Sequence, residues 1–214
     1  MTGVVYFVSG IDTGIGKTYT TGYLAKLWRE QGRNVITQKL VQTGNVGFSE
    51  DIEQHRAMMG VAAFPEDHDY LTMPEIFSYP ASPHLASQVD GRALDFHKIQ
   101  QATATLVERY EVVLLEGAGG LMVPLTTEQL SIDYVEQQKL AVILVSSGRL
   151  GSINHTLLSL EALQRRKIPL YALAYNLNDE SQDALISKDT ACYLKNYLQK
   201  HFPDALWIDI PVMN

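Results

Sequence analysis

The chain has 214 residues, 46% of them hydrophobic, and a formal net charge of −7, which suits one globular domain spanning residues 1–214 with a sizeable core. The acidic balance argues against nucleic acid as a partner, since backbone binding needs clustered Lys and Arg. The only cysteine, Cys192, excludes an intramolecular disulfide and Cys-rich zinc patterns, and no stretch approaches the ~18 apolar residues of a membrane span.

The first apolar run, 4–9, is expected to be a strand rather than a leader peptide, which makes the cytoplasm the expected compartment. It leads into "GIDTGIGKT" and a helix over 17–31. Glycines there let successive backbone N–H groups turn toward a phosphate, and the helix adds the positive end of its dipole. Lys17 can reach terminal phosphate oxygens and the Thr18 hydroxyl can ligate Mg²⁺. A second strand, 34–39, ends on Lys39, expected beside the first strand with its ammonium toward the same phosphates; Thr43 and Gly44 follow in a tight loop suited to a small ligand.

"SEDIEQH" then offers Glu50, Asp51 and Glu53, any of which could be a magnesium carboxylate or simply the acidic start of a surface helix. Residues 60–95 carry four prolines and no clear period, and read as a long irregular connection. A helix over 96–110 precedes the strand 111–116, whose last residue, Glu116, stands where many nucleotide hydrolases place a magnesium-side acid. Gly117, Ala118, Gly119 and Gly120 after it form a loop that permits close backbone approach by a ligand.

The remainder alternates in the same way: helix 131–138, strand 140–146, helix 153–166, strand 170–176, helix 182–201 and strand 205–210. The strands are continuously apolar, as expected of parallel strands covered on both faces, so the fold class is α/β, a parallel sheet flanked by helices of the P-loop NTPase type. "SSGRLGSINH" after strand 140–146 makes a second anion-ready helix start, suited to a carboxylate, with Arg149, Asn154 and His155 as candidate contacts. Cys192 falls in the last helix and reads as a small buried hydrophobe.

Taken together and in this order, "GIDTGIGKT", the lysine followed by "VQTG", "SYPASPH", "EGAGGLMVPL", "RLGSINH" and "YNLND" resemble the dethiobiotin synthetase family over nearly the whole chain. The resemblance implies an ATP-dependent homodimer that builds a ureido ring from 7,8-diaminononanoate and CO2 or bicarbonate, with Mg²⁺. By position it implies Thr18, Asp51 and Glu116 as metal ligands, and Lys17 and Lys39 on the transferring phosphoryl group. Nucleotide contacts would come from Gly14, Ile15, Gly16, Lys17, Thr18, Tyr19, Asp51, Glu116, Gly117, Ala118, Gly119, Asn176 and Pro211, with Asn176 at the adenine. Thr43 would touch the diamine, and the backbone of Gly151, Ser152, Ile153 and Asn154 would receive the substrate carboxylate across the dimer interface. Three features depart from the family pattern: Leu40 in place of a proline after Lys39, a short segment from Thr43 to Asp51, and few residues after Pro211. The rival reading is a partner-regulated switch ATPase of the partitioning type, but its signature lysine early in the loop is replaced here by Asp12.

Overall fold

A computed structural model describes residues 3–178 and 183–212. Six parallel strands form the main sheet: β1 (Val4–Gly10), β2 (Val35–Lys39), β5 (Val112–Gly120), β6 (Ala141–Ser147), β7 (Leu170–Asn176) and β8 (Leu206–Ile210), in the order β2-β5-β1-β6-β7-β8. Helices α1 (Lys17–Glu30), α5 (Phe96–Arg109), α6 (Ser131–Gln137), α7 (Ser152–Arg165) and α8 (Ala184–His201) connect them. The expected strands and these helices are present, with ends shifted by a residue or two except at β5, which runs four residues further than expected; Gln182, the expected first residue of the last helix, lies outside the described residues. The inner strands are apolar throughout because both faces are covered: Val112, Val113, Leu114 and Leu115 of β5 and Val142 to Val145 of β6 are all fully buried.

Lys39 does not end a strand beside the first one. β5 lies between β1 and β2, because the connection through α1 steps over one position and the chain later fills the gap. The direction of winding reverses at β1, flanked by β5 and β6, so the crevice at the carboxyl ends of these strands is where a ligand is expected. The glycine-rich loop and the end of β5 both open there. Residues 117–120 extend β5 instead of forming a loop, after a register shift between Val8 and Gly10 that pairs Gly10 with Gly120.

The segment 60–95 is more ordered than its prolines suggest. It carries α3 (Pro65–His68), β4 (Ile76–Phe77) and α4 (Pro83–Val89), and β4 pairs in parallel with β3 (Gln42–Thr43) as a separate two-stranded sheet. Two of the four prolines begin helices, where a fixed φ is preorganised and the missing N–H costs nothing. Preceding this segment, α2 (Glu50–Met59) is a full helix, capped by Ser49, whose Oγ accepts from the Ile52 amide at 3.2 Å. Its buried stripe is Ile52, His55, Arg56 and Met59, so half of the inward positions are polar and the apolar period is hidden in the sequence. Cys192 is exposed, contrary to the expectation of burial. The buried stripe of α8 is Thr190, Leu194 and Leu198, and a residue two positions off that stripe faces the other side of the helix.

Candidate active site

Strand register brings the central charges together. Lys39 of β2 and Val8 of β1 both pair with Glu116 of β5, so Lys39 and Glu116 stand side by side on one face of the sheet. Lys39 Nζ lies 2.7 Å from Glu116 Oε1 and 2.5 Å from Asp51 Oδ2, and donates to the Gly117 carbonyl at 3.3 Å. Asp51 reaches the cluster from the first turn of α2, whereas Glu50 and Glu53, its neighbours on that turn, are exposed.

From the other side, the Thr18 hydroxyl lies 2.9 Å from Asp51 Oδ1 and 3.1 Å from Glu116 Oε1. Two residues before Thr18, Gly16 has a left-handed φ of 92°, and a Cβ there would lie 2.3 Å from the Asn176 side-chain nitrogen, which would have to move. Lys17 is buried beside the loop and donates to the Asp12 carbonyl at 3.2 Å. A cavity of about 410 Å³ is lined by Gly14, Gly16, Lys17, Thr18, Tyr19, Lys39, Thr43, Asp51, Glu116, Ala118 and Gly119, among others.

The electrostatics follow from this packing. Burial pushes the Lys17 ammonium down to about 8, with Lys39 adding repulsion against the pull of Glu116 and Asp51. Burial alone would also lower Lys39, but Glu116 and then Asp51 outweigh it and hold the ammonium above the usual lysine value. Glu116 is fully buried, which opposes ionisation; Lys39 and His55 overcome that and hold its carboxyl well below the usual range. The cluster is thus two carboxylates organised around a positive group, with a hydroxyl beside them. Its donors are hard oxygens on three different elements, the chemistry that suits Mg²⁺.

Not every expected residue meets at this cavity. Asn176 lies under the glycine-rich loop, where its Nδ2 donates to the Ile15 carbonyl at 3.0 Å and to the Asn178 carbonyl at 3.4 Å. The Tyr19 hydroxyl donates to the Pro211 carbonyl at 2.8 Å, so Tyr19 and Pro211 are neighbours. Gly151, Ile153 and Asn154 line a different cavity, of about 820 Å³, between α7 and α8. Ser152 is buried at the start of α7, and its hydroxyl has no hydrogen-bond partner among the described residues. Arg149 forms an ion pair with Asp12 at 2.6 Å, joining the loop before α7 to the glycine-rich loop. His155 is exposed.

One participant was missed. His55, fully buried, touches Glu116 Oε2 at 2.9 Å. The signal was its position four residues after Asp51 in "SEDIEQH", which puts both on one face of a helix.

A family model described as an AAA domain matches residues 5–199. The ATP-dependent dethiobiotin synthetase BioD 2 of Pasteurella multocida is 48% identical over 203 residues, covering 95% of both chains. The ATP-dependent dethiobiotin synthetase BioD of Chlorobaculum tepidum is 51% identical, over 98% of this chain and 88% of its own. The chain belongs to the ATP-dependent dethiobiotin synthetases. Among solved structures, the signal recognition particle receptor FtsY of Elizabethkingia anophelis superposes with a TM-score of 0.53 at 17% identity. That match covers 98% of this chain but only 59% of the receptor, and it bears on the fold alone: synthetase and receptor share the α/β P-loop architecture. Family membership does not favour the switch-ATPase reading, whose signature lysine is Asp12 here. Among the described residues no helix is long and apolar enough to cross a membrane.

Proposed function

We propose that the chain is a cyclo-ligase of biotin biosynthesis that joins 7,8-diaminononanoate and CO2 at the expense of ATP to give dethiobiotin, ADP and phosphate. The observation that carries this reading is the single cavity in which Lys17 and Thr18 of the phosphate loop face Lys39, Thr43 and the end of β5. An amine attacking ATP directly would give a phosphoramide. In the proposed route one amine instead adds to CO2, losing a proton, and a carbamate oxygen attacks the γ-phosphorus as the bond to the ADP oxygen breaks. The second amine then attacks the carbonyl carbon and loses a proton, the carbon–oxygen bond to the phosphoryl group breaks, and phosphate leaves with that oxygen.

Lys17 and Lys39 stabilise the migrating phosphoryl group, and the amides of Gly14, Ile15 and Gly16 cradle the phosphates. Thr43 and the backbone of Gly117, Ala118 and Gly119 hold the diamine in line. Mg²⁺, held by Thr18, Asp51 and Glu116, would neutralise charge on the phosphate oxygens. Tyr19, Asn176 and Pro211 border the base; the Asn176 amide would contact adenine while keeping its bond to Ile15.

We further propose a cytoplasmic homodimer, in which Gly151, Ser152, Ile153 and Asn154 of the neighbouring subunit receive the substrate carboxylate. In support, the first amides of a helix have no intrahelical acceptor, and the unpartnered Ser152 hydroxyl sits among them.

Phosphate release from Mg·ATP should require both the diamine and bicarbonate; release indifferent to both would indicate a switch ATPase. With oxygen-18 bicarbonate, one labelled oxygen should appear in phosphate under conditions without exchange with water. Unlabelled phosphate would rule out the carbamate route.

A further inference from the structure

Glu116 has two carboxylate oxygens and they face different surroundings. Oε1 meets Lys39 and Thr18 on the cavity side. Oε2 instead meets His55 Nε2 at 2.9 Å. A fully buried carboxylate oxygen needs a donor there, and the side chain could otherwise turn about its terminal bond and redirect Oε1.

The donor is defined by the groups behind it. His55 Nδ1 lies 3.0 Å from Thr37 Oγ1, and Thr37 stands two residues before Lys39 on the same face of β2. Arg56 Nη1 donates to that same hydroxyl oxygen at 2.8 Å. A guanidinium can only donate. Among the described residues Thr37 Oγ1 contacts only these two groups, so its own hydrogen goes to His55 Nδ1. This assigns the remaining imidazole hydrogen to Nε2, aimed at Glu116. Arg56 is in turn held by Asp67, through Nε at 2.8 Å and Nη2 at 2.7 Å. The donors therefore run in one direction, from Arg56 to Thr37 to His55 to Glu116.

We propose that His55 is a positioning residue for the metal-side carboxylate: its Nε2–H holds Glu116 Oε2 so that Oε1 stays turned to Thr18 and the phosphates. This inference rests on Glu116 being a Mg²⁺ ligand. His55 touches neither nucleotide nor diamine in this arrangement; it acts through Glu116, as outer groups that orient metal ligands do.

The test uses the full-length protein with ADP and Mn²⁺ as the metal probe, read by electron paramagnetic resonance, and ADP affinity in EDTA as a control. His55→Leu should weaken Mn²⁺ binding about 10- to 100-fold, leave metal-free ADP affinity unchanged, and raise the Mg²⁺ concentration needed for half-maximal turnover. His55→Gln, whose amide can donate from nearly the same place, should recover most of the metal affinity. Thr37→Val, which keeps the imidazole but removes the group orienting its hydrogen, should give a smaller loss in the same direction, and it serves as the deciding variant if His55→Leu fails to fold. A folded His55→Leu with wild-type Mn²⁺ affinity, a His55→Gln no better than His55→Leu, or an unaffected Thr37→Val would each overturn the proposal. Glu116→Gln separates the two readings: weakened Mn²⁺ binding there with a silent His55→Leu removes this inference alone, whereas wild-type binding in Glu116→Gln removes the metal-site reading and this inference with it.

Discussion

Two charged clusters meet α2 on neighbouring turns, and their central pairs are buried to nearly the same degree. Arg56 and Asp67 have side-chain exposures of 5% and 0%, and Lys39 and Glu116 of 7% and 0%. Burial of these pairs therefore does not tell them apart; what each cluster faces does. Asp67 accepts two bonds from Arg56, one from the Thr72 hydroxyl and one from the Phe64 amide, and the Arg56 guanidinium also lies over the Phe64 ring. That cluster is closed, and it pins the 60–95 segment onto α2. The Lys39–Asp51–Glu116 cluster instead opens onto the cavity beside the phosphate loop. A closed pair supports structure, while an open one has charge to spend on a ligand.

The comparison can be broken most sharply at Asp67. Asp67→Ala leaves the Arg56 charge buried without its partner, and should cost about 3–5 kcal/mol of stability in urea unfolding, with turnover per folded molecule changed only severalfold. A stable but inactive variant would reverse the assignment of the two clusters.

Lys39→Gln should do the opposite. Turnover should fall by about 10²–10³ with ADP affinity nearly unchanged, and with a smaller loss of stability than Asp67→Ala because water can enter from the cavity. Normal turnover would make Lys39 a bystander.

Within the open cluster, Asp51→Asn should lower turnover roughly 10- to 100-fold, on the scale seen when groups around a bound metal are altered, while Glu53→Gln should behave as wild type. The reverse result would move the second metal carboxylate to Glu53.

Subunit exchange bears on the cavity between α7 and α8. Specific activity should fall on dilution, and light scattering should show a dimer at assay concentrations; a fully active monomer would remove the carboxylate role of residues 151–154.

The smallest effect concerns acid. Burial raises the Asp67 carboxyl, but the Arg56 hydrogen bonds and charge more than offset it and hold it below the usual value. A depressed folded value contributes stability above the unfolded value of about 3.9, and that contribution is lost as pH falls through the folded value. The difference in melting temperature between wild type and Asp67→Asn should therefore be constant from neutral pH to about 4 and shrink at lower pH. A difference that grows on acidification would contradict this.

Local patterns carried most of this protein. Continuous apolar runs identify six strands, since a strand covered on both faces needs nothing polar; the glycine spacing and "GKT" locate the phosphate loop, since turn geometry and helix start are local properties. Acids and lysines at strand ends could likewise be named from order alone. What neighbours what was settled only in three dimensions. The insertion of β5 between β1 and β2 is a non-local pairing, invisible to any window of residues, and it is what sets Lys39 against Glu116. The inward face of α2 hid because it includes His55 and Arg56, polar residues that can be buried only where Thr37, Asp67 and Glu116 arrive from other elements to satisfy them. The choice of Asp51 over Glu50 and Glu53 had the same origin: three acids on one helical turn are equivalent in composition, and only the rotation of α2 against α1 turns one of them toward Thr18.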